Sequence, residues 1–211
     1  MSACLDLLDQ IAQLNKIGVL SLASGSEGEA LKAFKQALVT MGQLTQHPES
    51  EVHFMSKVQT CTTQPLQGLN SSFYLYNKAF VFEGNLQLDI AYANALILFN
   101  LAITFHQRGI SQRDESKLRR ALSLYDLSIQ LISELSPYSG ALLVAALNNS
   151  AQIQYGLGDY QGACETLELL ENEAVHLPLS ACSQDVLGEE QIEQIFLNIA
   201  LTMPPTVAAS A

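Results

Sequence analysis

Three asparagines at a constant interval, each inside an apolar stretch, constrain the fold more than any other feature. Asn100, Asn149 and Asn198 are each 49 residues after the previous one, in the runs "ILFNLAITF", "LNNSAQI" and "FLNIAL". A buried amide needs hydrogen-bond partners, and a fixed interval is typical of stacked, equivalent units. Either the amides bind a peptide backbone in a groove, or they satisfy backbone groups where two units meet.

Apolar residues recur at helical spacing through most of the chain. The breaks between these stretches contain glycine, proline and short polar runs. The pattern predicts seven helices, at about 5–23, 27–44, 87–108, 115–135, 139–156, 160–174 and 186–202. Short turns join the first six into three helix–turn–helix pairs, and the seventh closes the array.

Each pair repeats a small residue followed, seven positions later, by a glycine. Two antiparallel helices approach closely where one of them presents Gly or Ala, and a glycine ends a helix with a positive φ. The small residues are Gly18, Ala102 and Ala151, and the predicted helix ends are Gly25, Gly109 and Gly158. The turn of the second pair holds seven extra residues by this alignment.

The stretch at 45–86 does not follow the helical pattern. "VQTCTTQPLQGLNSSFYLYNKAFVF" is rich in Thr and aromatic residues, which favours a hairpin or an extended flap. Phe73–Phe82 is the stronger strand candidate. This run is too apolar to remain exposed, so we expect it to fill a groove of the same chain or to pair with another chain.

The run "LFNLAITFHQRG" is similar to the first helix of a tetratricopeptide repeat through Leu98, Asn100, Leu101, Ala102 and Gly109. "LNNSAQIQYGLGDYQGA" and "QLNKIGVLSLASGSEGEALKAFKQA" resemble the same motif. The order of helices and flap also resembles an algal group of such proteins. The resemblance implies an all-α, right-handed solenoid of about three helical hairpins plus a C-terminal capping helix, with a short β or extended insertion.

These observations predict one helical-repeat domain over residues 1–203. Its parts are repeat 1 at about 5–44, an insertion at 45–86, repeat 2 at about 87–135, repeat 3 at about 139–174 and a capping helix at about 186–202. Residues 204–211, small and preceded by proline, are predicted to form a flexible tail.

Charge is uneven along the chain, whose net charge is −11. All ten Lys and Arg, and ten of the acids, fall in residues 1–120, whereas residues 121–211 hold eleven acids and no Lys or Arg. Such a surface repels phosphate backbones, so we expect no nucleic acid partner. The N-terminus does not read as a signal peptide, and the apolar run at 91–105 is short for a bilayer. We therefore expect a cytoplasmic protein without a membrane partner.

Two groups of side chains are candidates for binding. The inner helices are predicted to line a peptide groove with amide, aromatic and apolar groups: Asn15, Asn100, Ile103, His106, Gln107, Asn148, Asn149, Gln152 and Tyr155. A basic loop could dock an acidic peptide or pair with nearby acids: Arg108, Arg113, Lys117, Arg119 and Arg120.

The sequence contains no Ser-His-Asp, HExxH, Walker or GxGxxG pattern, and its four cysteines are scattered. We therefore predict a non-enzymatic adaptor or scaffold without metal or cofactor, which binds another protein or peptide in its groove. Alternatively it is an assembly subunit, a homo- or hetero-oligomer joined through the flap at 66–84. The rival hypothesis is an enzyme or small-molecule binder with His106, Tyr155 and Cys164 around a pocket.

Overall fold

The computed structural model describes residues 2–44, 58–63, 73–82, 89–133, 135, 140–175, 177 and 187–202. Within these residues the protein is mostly helical, with seven helices and one small sheet. The helices are α1 Ser2–Ala23, α2 Glu27–Leu44, α3 Ile90–Gln112, α4 Glu115–Ser133, α5 Gly140–Gly156, α6 Tyr160–Val175 and α7 Glu189–Thr202. The number and type of the helices agree with the sequence prediction.

The helices pack mainly on their neighbours along the chain. The closest partners are α1 with α2, α3 with α4, and α5 with α6, and smaller contacts join α2 to α3, α4 to α5, and α6 to α7. Helices α3 and α5 lie deepest, because both are apolar on nearly every side and most of their side chains are buried. Their buried faces put Asn100, Asn148 and Asn149 inside the protein.

A small residue allows α1 and α2 to approach closely, as predicted for Gly18. A Cβ added to Gly18 would lie 2.4 Å from Cε1 of Phe34, so α1 contacts α2 where only a hydrogen fits. Gly25 and Gly158 have φ values of 79° and 81° and follow the ends of α1 and α5. These two glycines therefore end their helices in the left-handed conformation.

The prediction for Gly109 is wrong. Gly109 lies inside α3, which continues for another turn and ends at Arg113, whose φ of 51° makes it the left-handed cap. A Cβ on Gly109 would lie 2.6 Å from Leu118, so this glycine is a second close contact between helices. The extra residues thus lengthen the end of α3 and the start of α4, and the turn between the two helices is short.

The sheet has two antiparallel strands, β1 Gln59–Thr62 and β2 Lys78–Val81, with Gln59 opposite Val81 and Thr62 opposite Lys78. The predicted strand Phe73–Phe82 is therefore too long, since only its second half pairs in a ladder. The rest of the 45–86 insertion, at 45–57, 64–72 and 83–86, and the predicted tail at 204–211 lie outside the described residues.

Among the described residues, α3 is the one helix that is long and apolar enough to cross a bilayer. Most of its apolar window, 78%, is buried within the protein. A buried core helix of a soluble protein meets the same criteria of length and composition.

Candidate functional site

One face of the helices binds residues 73–82 through asparagine side chains. We call this stretch the flap segment and the surface that holds it the asparagine face. The face is formed by α1, α3, α5 and α7, which contribute Asn15, Asn100, Asn148, Asn149 and Asn198. All five asparagines are at most 1% exposed.

Asn100 binds both backbone groups of Phe80. Its Oδ1 accepts from the Phe80 N–H at 2.8 Å, and its Nδ2 donates to the Phe80 carbonyl at 2.8 Å. Asn15 donates to the same carbonyl at 2.9 Å, and its Oδ1 accepts from Asn100 Nδ2 at 2.8 Å. Helices α1 and α3 thus hold one residue of the flap segment together.

Asn149 repeats this arrangement one layer further along. Its Oδ1 accepts from the Tyr76 N–H at 2.9 Å, and its Nδ2 donates to the Tyr76 carbonyl at 3.0 Å. The same Nδ2 lies 3.1 Å from the Tyr125 hydroxyl of α4 and donates to it. The hydroxyl fixes the orientation of the amide that reads the backbone.

Asn198 makes the third pair, to Tyr74. Its Oδ1 accepts from the Tyr74 N–H at 2.7 Å, and its Nδ2 donates to the Tyr74 carbonyl at 2.7 Å. Asn148 donates to that carbonyl at 3.1 Å and accepts from Asn198 Nδ2 at 2.7 Å through its Oδ1. The asparagine amides therefore bind a peptide backbone, as in the first alternative. That backbone belongs to the same chain, so the amides also satisfy backbone groups inside the protein, as in the second.

The three pairs have one geometry because a side-chain amide carries a donor and an acceptor side by side, like the N–H and C=O of one extended residue. The segment runs from Asn198 on α7, past Asn149 on α5, to Asn100 on α3. Residues 74, 76 and 80 are separated by even numbers, so their backbone groups point to the same side of an extended chain. Such contacts read the backbone and do not depend on the side chains.

Aromatic side chains anchor the segment between the amides. Tyr76 is fully buried and Phe80 is 1% exposed. The Phe80 ring meets the Phe99 ring edge-on with 5.0 Å between centroids, and Tyr76 meets Phe99 at 6.0 Å. Phe99 in turn lies 5.4 Å from Tyr125. Ring pairs at these separations are favourable beyond the area that they bury.

The hairpin is anchored at its other strand by Gln107. Gln107 Nε2 donates to the Thr63 hydroxyl, which in turn donates to the Asn77 carbonyl at 2.6 Å. The Thr63 N–H donates to that carbonyl at 2.9 Å. Gln107, a predicted groove residue, therefore holds the flap segment indirectly, through the strand paired with it.

His106 is 1% exposed, and its Nδ1 lies 3.5 Å from the Tyr125 hydroxyl. Burial lowers the pKa of His106 to about 3, so the ring is neutral at physiological pH. Burial also raises the pKa of the Tyr125 hydroxyl, which stays protonated. His106 thus belongs to the polar interior that supports Asn149. Among the described residues, no hydrogen bond joins His106 to the flap segment.

The remaining predicted groove residues have different surroundings. Ile103 is fully buried in the core, and Gln152 is 9% exposed with its Oε1 buried. Tyr155 is 42% exposed, and its ring lies 5.1 Å from the ring of Phe73. Tyr155 therefore contacts the start of the flap segment from the rim of the asparagine face.

The basic residues are occupied mostly by their neighbours. Arg108 lies 3.4 Å from Glu27, Lys117 pairs with Asp114, and Arg119 lies 3.7 Å from Glu115. Arg120 stacks over the Phe105 ring at 5.6 Å, and Arg113 caps α3. Three of the five basic residues therefore pair with acidic side chains, which is one of the two alternatives for this loop.

The three residues of the rival pocket hypothesis lie in separate surroundings. His106 contacts Tyr125, and Tyr155 contacts Phe73 and Tyr160. Cys164 is a half-buried free thiol on α6. Among the described residues, no hydrogen bond or ring contact joins any two of the three.

Three residues that contribute to the site are not among the predicted groove residues. Asn198 was recognisable from its 49-residue interval, which placed it in phase with Asn100 and Asn149. Tyr125 and Thr63 gave no such signal, because their roles depend on contacts with residues far away in sequence. Comparisons of the chain with protein-family models, with curated proteins and with solved structures returned no match.

Proposed function

We propose that the chain is a protein-interaction scaffold whose asparagine face is a groove for extended peptides, occupied by its own flap segment until a partner segment replaces it. The observation that carries the proposal is the set of paired hydrogen bonds from Asn100, Asn149 and Asn198 to three residues of one backbone, Phe80, Tyr76 and Tyr74. Backbone recognition of an extended chain is a recurring way of binding peptides.

The proposal includes the architecture. Three helical hairpins and a closing helix, each packed on the next, support a tetratricopeptide-like right-handed solenoid with the asparagine face as its concave side. In such an array the inner helices supply the binding surface. Here α1, α3, α5 and α7 all reach the flap segment, as inner helices would.

The bound segment competes strongly because it is tethered. A tethered segment acts at an effective concentration of about millimolar or more, so a partner segment must bind better or arrive when the flap has opened. This ordering favours a regulated adaptor in the cytoplasm over a groove that is open at all times.

A second candidate, an assembly subunit, follows from the same contacts. The flap segment and the face that holds it are on one chain, so the flap of a second copy would make identical contacts in an exchanged dimer. Light scattering across a hundredfold range of concentration separates the two: an exchanged dimer persists on dilution, whereas the adaptor is a monomer with its own flap in place.

The test uses a fluorescein-labelled peptide that carries residues 73–82, with lysines at both ends for solubility, and two variants of the full-length protein. Tyr74→Ala removes a half-buried ring from the flap segment and leaves the backbone hydrogen bonds of residue 74 in place. It therefore loosens the flap segment without changing the groove. Asn149→Ala damages the groove itself. We expect the peptide to bind the Tyr74→Ala protein more tightly than the wild type, and not to bind the Asn149→Ala protein.

Both variants weaken the internal flap, so a non-specific effect of loosening would increase binding in both. Opposite effects identify the asparagine face as the site at which the peptide binds. Equal binding to both variants, or no binding to either, would overturn the proposal. Far-ultraviolet circular dichroism of each variant establishes that the helices are intact before binding is measured.

A further inference from the structure

The proposed groove leaves open which segments it accepts, because amide pairs read any backbone. The flap segment itself supplies the selective contacts. Four of its side chains are at most 5% exposed: Tyr76, Ala79, Phe80 and Phe82. The other side chains described in the segment are half-buried. Selectivity must come from the buried ones, since only they lose most of their contact with water.

Three of these positions are aromatic, and two of them, Tyr76 and Phe80, share one partner. Tyr76 and Phe80 lie 5.9 Å apart, and both rings meet Phe99 of α3. Their backbones are the ones held by Asn149 and by Asn100. The amides therefore fix the register, and the register brings both aromatic rings into contact with Phe99.

Position 79 selects by size. Ala79 is fully buried, with 0% of its surface exposed. It lies opposite Cys61 in the β1–β2 ladder. A close-packed interior does not take extra methylene groups without displacing its neighbours. A residue larger than alanine is therefore excluded here, next to a position that demands a large ring.

We infer that the groove selects extended partner segments with the pattern aromatic-x-x-small-aromatic, matched to Tyr76, Ala79 and Phe80. This inference rests on the proposed function, since it names the class of peptide that the same site accepts. Phe99 is the specificity-determining residue of the helices, because both aromatic positions contact it.

A panel of peptides tests the inference against the full-length Tyr74→Ala protein. The panel holds the 73–82 peptide and its Tyr76→Ala, Phe80→Ala, Ala79→Leu and Leu75→Ala versions, each measured by fluorescence anisotropy. Truncation of a buried ring weakens binding by at least about 100-fold when its full cost appears in the affinity. We expect the first three changes to weaken binding at least 30-fold. Leu75→Ala, the matched control at a half-buried position, should change it less than threefold.

A second receptor guards against a variant that does not fold well. Full-length Phe80→Ala protein has a vacated aromatic position in its own flap, so the unmodified peptide should bind it and raise its melting temperature. The Phe80→Ala peptide should do neither.

The outcomes separate the two proposals. Equal binding by all peptides of the panel would overturn the aromatic pattern and leave the peptide groove standing. Failure of every peptide, the unmodified one included, on both receptors would overturn the groove and the pattern together. Selective loss at the two aromatic positions and at position 79 would establish the pattern.

Discussion

Asn149 and Tyr76, 73 residues apart in sequence, exchange two hydrogen bonds: the amide Oδ1 accepts from the Tyr76 N–H at 2.9 Å and the Nδ2 donates to its carbonyl at 3.0 Å. A side chain of α5 thereby takes the place of a neighbouring β-strand. The backbone N–H and C=O of Tyr76, which lies outside the β1–β2 ladder, are thereby paired in the interior of the protein.

Replacement of Asn149 by leucine should destabilise the protein by about 2–4 kcal/mol. The change removes the two hydrogen bonds from Asn149 to the buried N–H and C=O of Tyr76, and the loss of a hydrogen bond to a buried group costs about 1–3 kcal/mol. Urea unfolding followed by circular dichroism measures the loss. Asn172→Ala is the matched control, because Asn172 is an exposed asparagine on α6, and it should change stability by less than about 0.5 kcal/mol. Similar losses for the two variants would contradict this role of Asn149.

Gly18→Ala should lower stability by about 1–3 kcal/mol, although alanine is the better helix former. The new Cβ would lie 2.4 Å from Cε1 of Phe34, which is fully buried and has little room to move. Gly42→Ala is the control, since a Cβ there meets nothing within 4 Å and should stabilise α2 by about 0.5–1 kcal/mol. Thermal melting of both variants measures the two opposite signs, and a stabilised Gly18→Ala protein would contradict the close contact of α1 with α2.

Stability should fall as the pH is lowered from about 6.5 to about 3, partly because of His106. Burial lowers the pKa of the folded His106 to about 3, whereas the unfolded side chain has a pKa of about 6.5. Between these values the unfolded chain binds one proton more than the folded chain. The free energy of unfolding therefore decreases by up to about 1.4 kcal/mol per pH unit on acidification.

The His106→Gln variant isolates this contribution. Titrating carboxylates and the other histidines are common to both proteins and largely cancel in the difference between them. Urea unfolding at several pH values should show that the wild type loses stability more steeply than the variant as the pH falls below about 6.5. The free energy of unfolding of the wild type minus that of the variant should therefore decrease on acidification. A difference that does not change with pH would show that His106 is not held neutral.

Arg113→Gly should raise the stability by about 0.5–1 kcal/mol. Arg113 has a φ of 51°, a conformation that costs a residue with a Cβ about 1 kcal/mol or more and costs glycine nothing. Arg113→Ala is the control, because it removes the same exposed side chain and keeps the Cβ. Differential scanning calorimetry should show a higher melting temperature for the glycine variant alone. Equal changes in the melting temperatures of the two variants would mean that the loss of the Arg113 charge, and not the relief of its backbone conformation, is responsible.

Periodicity predicted the helices well because each helix buries a face that recurs every three or four residues. The start of α2 at Glu27 and the ends at Gly25 and Gly158 follow from local signals of this kind. Gly109 misled the prediction, since a glycine at a close contact between helices has the same letter as a glycine that ends one. Only the position of Leu118 distinguishes the two, and that is a tertiary property.

For the asparagines too, the sequence indicates their roles but not their partners. Their common interval indicated that Asn100, Asn149 and Asn198 play equivalent roles, and the apolar character of the flap indicated that it must be covered. Which flap residue meets which asparagine depends on the path of the chain between β1 and α3. Nothing in the local pattern around Tyr74, Tyr76 or Phe80 contains that path.

The flap segment is synthesised long before the helix that completes its binding site. Tyr74 precedes Asn198 by 124 residues, and a ribosome adding about 5–20 residues per second takes roughly 6 to 25 s to cover that distance. During this interval the aromatic run of the nascent chain has only part of its cover. We therefore expect chains that stop short of α7 to aggregate during translation, while chains that include α7 remain soluble once Asn198 has emerged.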